Sequence, residues 1–283
     1  MSTYTSTYAS GSAVDAALDA GASAYIQANS RAEFPNGNFL SPVNQRSRVS
    51  GTSFSTTGTY FLDQIKLISG SVTWTSGTGI ALNGVIKSRL EILPAWLFSK
   101  SFPVIISIGS TEYKTTLTWP SSNTGTAATS TVGGVTITIG FESYSATICG
   151  ITSAYVPYIT LTTSVSKTIN YIYSKDPPDD FCSQFVKCQR FYQYIPTLYA
   201  LGFCTSATLA FVAVPTPVPM RIYPTAAVTS VGLLQCASSF TPSTMGVAAY
   251  NNNQVHLAVT CTGLTVGAVC CLHDAVVSLS AEI

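Results

Sequence analysis

From Phe34 onward the chain is a series of short runs rich in Val, Ile, Thr, Tyr and Phe, divided by turn residues. The runs are Thr59 to Leu67, Ser71 to Thr75, Gly84 to Leu93, Val104 to Ile108, Tyr113 to Trp119, Val135 to Phe141 and Tyr158 to Thr163. Breaks such as Ser121-Ser122-Asn123-Thr124-Gly125 and Gly133-Gly134 separate them. β-branched and aromatic side chains fit a pleated, half-buried surface, and Gly, Asn and Ser supply the turns. Many short strands at this rhythm predict a β-sandwich of jelly-roll type over residues 34–175.

Lys175-Asp176-Pro177-Pro178-Asp179-Asp180 marks the boundary of that region, because tandem proline joins neither a central strand nor a helix interior. Asp179 or Asp180 can start a helix running to about Tyr192, with Phe181, Phe185 and Cys188 or Gln189 on one face. Beyond it, Ser206 to Val214, Ala226 to Leu234, Val255 to Cys261 and Val276 to Leu279 read as strands, and Asn251-Asn252-Asn253-Gln254 as a loop. The expected fold is therefore mainly β: a short N-terminal helix, a jelly-roll sandwich, a linker helix, and a smaller C-terminal β domain within 176–283.

Residues 1–33 stand apart. Ser12 followed by Asp15 reads as a helix start, a hydroxyl cap with an acid near the positive end of the dipole. Val14, Leu18, Gly21 and Tyr25 then follow at heptad spacing, and alanines keep the helix slim. Two heptads cannot hold a coiled coil alone. One reading is an amphipathic helix packed on its own domain. The other is an oligomerisation or anchoring segment, either a short multi-chain bundle or a helix docked into a partner.

Charge narrows the partners. Only 9% of the 283 residues are charged and the formal net charge is +1. Lys and Arg are scattered singly from Arg31 to Arg221, so no basic stripe for nucleic acid is expected. A surface this weakly charged favours association. No run reaches a membrane span, and Met1 to Ser6 lacks the basic start and apolar run of a signal peptide, so synthesis in a cytoplasm is expected. In that compartment the eight cysteines are expected to be reduced and mostly buried, Cys149, Cys204, Cys261 and Cys270 above all.

Residues with chemistry are few. Asp176, Asp179 and Asp180 cluster at a helix start, where acids are structurally expected, so catalysis is not expected. Cys270, Cys271, His273 and Asp274 form a group of candidate ligands, but adjacent cysteines in a strand point to opposite faces, and Cys182 and Cys188 are poorly spaced. Neither a metal nor a cofactor is expected. His256 reads as a packed strand residue, and Gly133-Gly134 precedes a strand instead of a phosphate-binding helix. Trp74, Trp96 and Trp119 could meet sugar faces, but core packing suits Trp74 and Trp119 better. Tyr171 and Tyr173 could share a strand face. Tyr250, Asn251, Asn252 and Asn253 join an aromatic to amides at a loop tip, which suits a glycan.

Several stretches carry a resemblance. Cys188-Gln189-Arg190-Phe191-Tyr192-Gln193 is followed by Phe211 to Pro215, then Pro217-Val218-Pro219-Met220-Arg221 and Pro224-Thr225. Upstream stand Asn36-Gly37-Asn38-Phe39, Gln45-Arg46 and Tyr60-Phe61-Leu62-Asp63, with Gln64-Ile65 where Arg-Trp is usual. Together, over about Ala32 to Thr225, they resemble bacteriophage virion fibre and tail-spike-like adhesins with a carbohydrate-binding-like jelly roll. The resemblance implies a homotrimer made in the bacterial host and displayed on the virion surface. It would be held to capsid, neck or tail proteins through residues 1–33 and would bind host-surface glycans. A head-decoration or collar protein, and more remotely a glycan depolymerase, are the alternatives.

Overall fold

The computed structural model describes residue 34 and residues 36–90, 97–148, 151–174, 181–251 and 254–282. The N-terminal segment with Val14, Leu18, Gly21 and Tyr25 lies outside the described residues, as do Trp96, Cys149, Asp176, Asp179, Asp180, Asn252 and Asn253. The chain is mainly β, built as two antiparallel sheets joined through one described helix.

The first sheet comprises β1 (Ser53–Phe54), β2 (Tyr60–Leu62), β3 (Ile65–Thr75), β4 (Gly79–Arg89) and β5 (Ser101–Ile108). It continues with β6 (Thr111–Thr118), β7 (Ala128–Val132), β8 (Val135–Ile148) and β9 (Ile151–Tyr173). β9 organises it. One edge of β9 pairs with β4 along residues 158–169. The other edge pairs with β8 over 151–162 and with β5 over 169–173. Two arms, β8–β7 and β5–β6, thus leave the same edge and meet again where Thr115 and Ser130 share a 2.6 Å hydroxyl contact. The expected sandwich is built from one hydrogen-bonded sheet folded over its own core.

That core follows from alternation. Ile65, Leu67, Leu82, Ile86, Ile137, Ile139, Ile159 and Leu161 point inward and are fully or almost fully buried. Trp119 packs between Phe102 and Phe141, with ring centroids 5.8 and 5.6 Å away, and Trp74 donates its indole N–H to the Phe39 carbonyl at 2.9 Å. Both tryptophans are core residues, as the strand pattern predicts. Gly70 and Gly84 are cross-strand partners at φ +77° and +138°, beside a register shift. Each would drive an added Cβ into the other's backbone, so the strands can cross here only as glycines.

The linker helix α1 (Phe181–Gln189) stops before the predicted Tyr192. The N–H groups of Arg190 and Phe191 close a turn onto the carbonyls of Lys187 and Cys188, and Tyr192 already pairs with Ser280. Burying Phe191 in the turn and Tyr192 at the start of a strand outweighs continuing the helix. On the predicted apolar face, Cys188 is buried while Phe181 is exposed and stacks on Phe185.

The second sheet holds β10 (Tyr192–Ser206), β11 (Leu209–Pro215), β12 (Thr225–Ser230) and β13 (Leu233–Gln235). It ends with β14 (Ser239–Phe240), β15 (Thr244–Asn251), β16 (Gln254–Thr260) and β17 (Val269–Ser280). The strand order is β14-β13-β17-β10-β11-β16-β15, with β12 also on β17. Leu198, Val212, Leu257, Val259, Leu272, Val277 and Leu279 fill its core. Among the described residues no helix is long and apolar enough to cross a membrane.

Candidate ligand-binding site

Residues from several of the stretches that carry the resemblance meet at the seam between the two sheets, while Phe211 to Pro215 runs inside the second sheet as β11. Arg46 lies between the rings of Tyr60 and Tyr192, its guanidinium carbon 5.0 and 4.0 Å from their centroids. It is paired with Asp63 at 3.5 Å and with Glu282. Gln45 gives its backbone N–H to Asp63 and its side-chain amide to the Tyr192 carbonyl, at 2.9 and 2.8 Å. Asn36 bonds the carbonyls of Val43 and Asp63, and Gln64 bonds Glu282 and the Lys187 carbonyl. Arg221 covers the Phe191 ring at 4.4 Å and donates to the Leu90 carbonyl. Burial pushes Asp63 up to about 6, against the opposing pull of the Gln45 N–H and Arg46, and burial raises Glu282 as well. These motif residues weld the two sheets together; their polar groups point at one another.

Beside the seam, on the outward face of the first sheet, cations gather. Lys66 on β3 and Lys87 on β4 are direct cross-strand partners, and Arg89 follows two residues later on the same face. With Tyr60 and Ile68 they line a pocket of about 40 Å³, room for one small anionic group. Each cation also lies against an aromatic ring: Lys66 on Tyr60, Lys87 on Tyr158 and Arg89 on Tyr144, at 5.2, 4.9 and 5.1 Å. Glu142 pairs with Lys87 at 2.7 Å and with Arg89. Glu142, and from farther off Glu282, offset part of the charge of the three cations. Burial, then the nearby Arg89, lowers the Lys66 pKa. Burial works against the Glu142 carboxylate, but its bonds to Arg89 and Lys87 prevail and hold its pKa low. Like charges directly opposite on a sheet are unfavourable. An anion between Lys66 and Lys87 would relieve them. The expectation of singly scattered cations is corrected here: sequence distance hid three that the β3–β4 register stacks together.

No known protein family, curated protein or solved structure matches the chain.

Of the residues singled out for glycan contact, Tyr250 and Asn251 are described. Tyr250 packs on the second core, donates its hydroxyl to the Met220 carbonyl at 2.9 Å and meets Tyr223 edge-on. Asn251 ends β15 and pairs with Gln254 across the hairpin. Tyr171 and Tyr173 do share a face, stacked at 5.1 Å, with the Tyr171 hydroxyl on Glu112. His256 is a half-buried residue of β16, paired with Ala213 and Ala249.

The Cys270, Cys271, His273, Asp274 group divides as strand geometry requires. Cys270 turns into the core, while His273 stays on the surface with its Nδ1 2.8 Å from Asp274. Tyr199 stacks on His273 and donates to the same carboxylate. Two other features were invisible in the sequence. Tyr199, Leu201 and Phe203 on β10 form an exposed row with Val269 opposite Phe203 on β17, each more than half exposed. Second, Cys204, Cys236 and Cys270, far apart in the chain, bring their sulfurs within 4.8 Å of one another.

Proposed function

We propose that this chain is a bacteriophage virion fibre protein that attaches the particle to host-surface glycans, and that the Lys66–Lys87–Arg89 pocket receives an acidic sugar. The observation that carries the reading is the juxtaposition of three cations with Tyr60, Tyr158 and Tyr144. Aromatic faces suit the apolar side of a sugar ring, and clustered cations suit a carboxylate, sulfate or phosphate on it. The resemblance places such a chain on a virion, mounted through residues 1–33. A homotrimer follows from the same resemblance and is supported by the sparse surface charge and by the apolar row on β10. Several copies per particle raise a weak single-site affinity by avidity.

The head-decoration reading draws on a different observation, the use of the motif residues as a seam. Lys66→Glu separates the two. Lys66 forms neither of the Glu142 ion pairs, so its reversal removes a pocket cation without deleting a partner of Glu142. Losing one charge-assisted contact removes about 1.5–3 kcal/mol, a tenfold or greater fall in binding to anionic glycans. The assay is glycan-array and whole-cell adsorption by purified protein and by particles, at low and high salt. Unchanged binding by Lys66→Glu, or no glycan binding by the wild type, would reject the pocket assignment.

A further inference from the structure

We propose that Cys204, Cys236 and Cys270 form a thiolate site for one thiophilic cation, Zn²⁺ being the probe ion. Three strands of the second sheet deliver the ligands. β17 lies between β13 and β10. Cys270 on β17 has Gly202 as its β10 partner, so Cys204 lies two residues along the same face. Cys236 directly follows β13, one step beyond the Gln235–Cys271 pair, which sets it opposite Cys270. The Cys204 and Cys236 sulfurs are 3.5 Å apart, and all three lie within 4.8 Å of one another. Zinc–sulfur bonds of about 2.3 Å require sulfurs roughly 3.8 Å apart at tetrahedral angles and roughly 4.0 Å apart in a trigonal plane. The 3.5 Å pair is within about 0.5 Å of both values, and Cys270 lies within 4.8 Å of each of the other two.

The surroundings hold the ligands in place. The Cys204 N–H bonds the Ala268 carbonyl at 2.9 Å, its own carbonyl accepts from Gly267, and the Cys236 N–H bonds the Ser238 carbonyl. Cys204 and Cys270 are buried in the second core, with Leu234 in the same cluster and Phe240 packed against it. Cys261 is also buried in this core but is not one of the three sulfurs that converge. Burial pushes Cys236 up to about 11 and Cys270 up to about 12, so near neutral pH these thiols keep their protons until a cation displaces them. Each thiol that binds exchanges its S–H bond for a Zn–S bond and releases one proton. Packing alone has no need of sulfur at three converging positions. A bound cation would pin the three-residue β13 and its β14 hairpin to the sheet.

The experiment uses the full chain, reduced with a phosphine, stripped with chelator, and titrated with Zn²⁺ against a chromophoric zinc chelator. The expected result is one equivalent of Zn²⁺ per chain and a higher thermal midpoint. Cys236→Ser should lose both while melting like the wild type without zinc, because Cys236 is only partly buried. Cys271→Ser, on the opposite face of β17, should keep both. A fully reduced wild type that binds no zinc equivalent overturns the proposal, as does a Cys236→Ser variant that still binds one. So does a Cys204–Cys236 disulfide in protein purified without reductant, seen as the loss of two hydrogens in the intact mass.

Discussion

Replacing Arg46 by Met should cut stability sharply at neutral pH and far less in acid. Arg46 is the cation shared by Asp63 and Glu282, whose side chains are 0% and 3% exposed. Met keeps an apolar stem between Tyr60 and Tyr192 but removes the charge. Two buried carboxylates are then left facing each other, and breaking a buried pair in this way costs about 3–5 kcal/mol. The pH dependence follows from Asp63, which burial lifts from 3.8 to about 6. A folded-state value above the unfolded one means a contribution that is full below about pH 4 and lost as pH rises through about 6, in all about 3 kcal/mol. Glu282, also raised by burial, acts with the same sign. Without Arg46 both carboxyls climb further, so protonation rescues the variant. Urea unfolding of wild type and Arg46→Met at about pH 8 and about pH 5 measures the difference. A loss under about 1 kcal/mol at the higher pH, or equal losses at both, would refute the idea that a buried charge network joins the sheets.

Two further outcomes test other parts of the structure. Leu201→Lys with Phe203→Lys should yield monomers by native mass spectrometry with an unchanged thermal midpoint, since exposed positions shift stability by only about 0.5 kcal/mol each; persistent trimers would clear this row of the interface role. Gly84→Ala should destabilise by about 1–3 kcal/mol in chemical denaturation, through φ +138° and the Gly70 backbone, whereas Gly77→Ala meets no atom and should show only the milder effect of its turn conformation.

Strands with dense β-branched residues were legible because alternation is local. Val135 to Ile139 and Val255 to Thr260 announce their inward faces directly, whereas Ile65 to Thr75, read as parts of two runs, is one strand. β10 was not, because Gln193, Pro196 and Gly202 interrupt its pattern and Tyr194, Tyr199 and Phe203 point outward. β7, Ala-Thr-Ser-Thr-Val, carries almost no apolar signal. The helix end was overrun because Phe191 and Tyr192 suit a strand as well as a helix, and only the pairing of Tyr192 with Ser280 decides. The cation pocket and the thiol cluster depend on register. Lys66 meets Lys87, and Cys204 meets Cys236 and Cys270, only after strands distant in sequence are aligned. Conversely, Asn36, Gln45, Arg46, Asp63, Tyr192 and Arg221, from the strings that prompted the resemblance, lie at the seam, where their contacts join the two sheets.

The shared strand β9 makes the first sheet indivisible. It carries β4 on one edge and both arms on the other, so neither arm owns a complete ladder. Excising β7–β8, or exchanging β5–β6 for another hairpin, would strip part of β9 of its partners and expose unpaired N–H and C=O groups. Diversification by swapping whole pieces is closed to such a scaffold. What stays open is change on the outward faces and in the turns, where Lys66, Lys87 and Arg89 lie and where no ladder bond depends on the side chain.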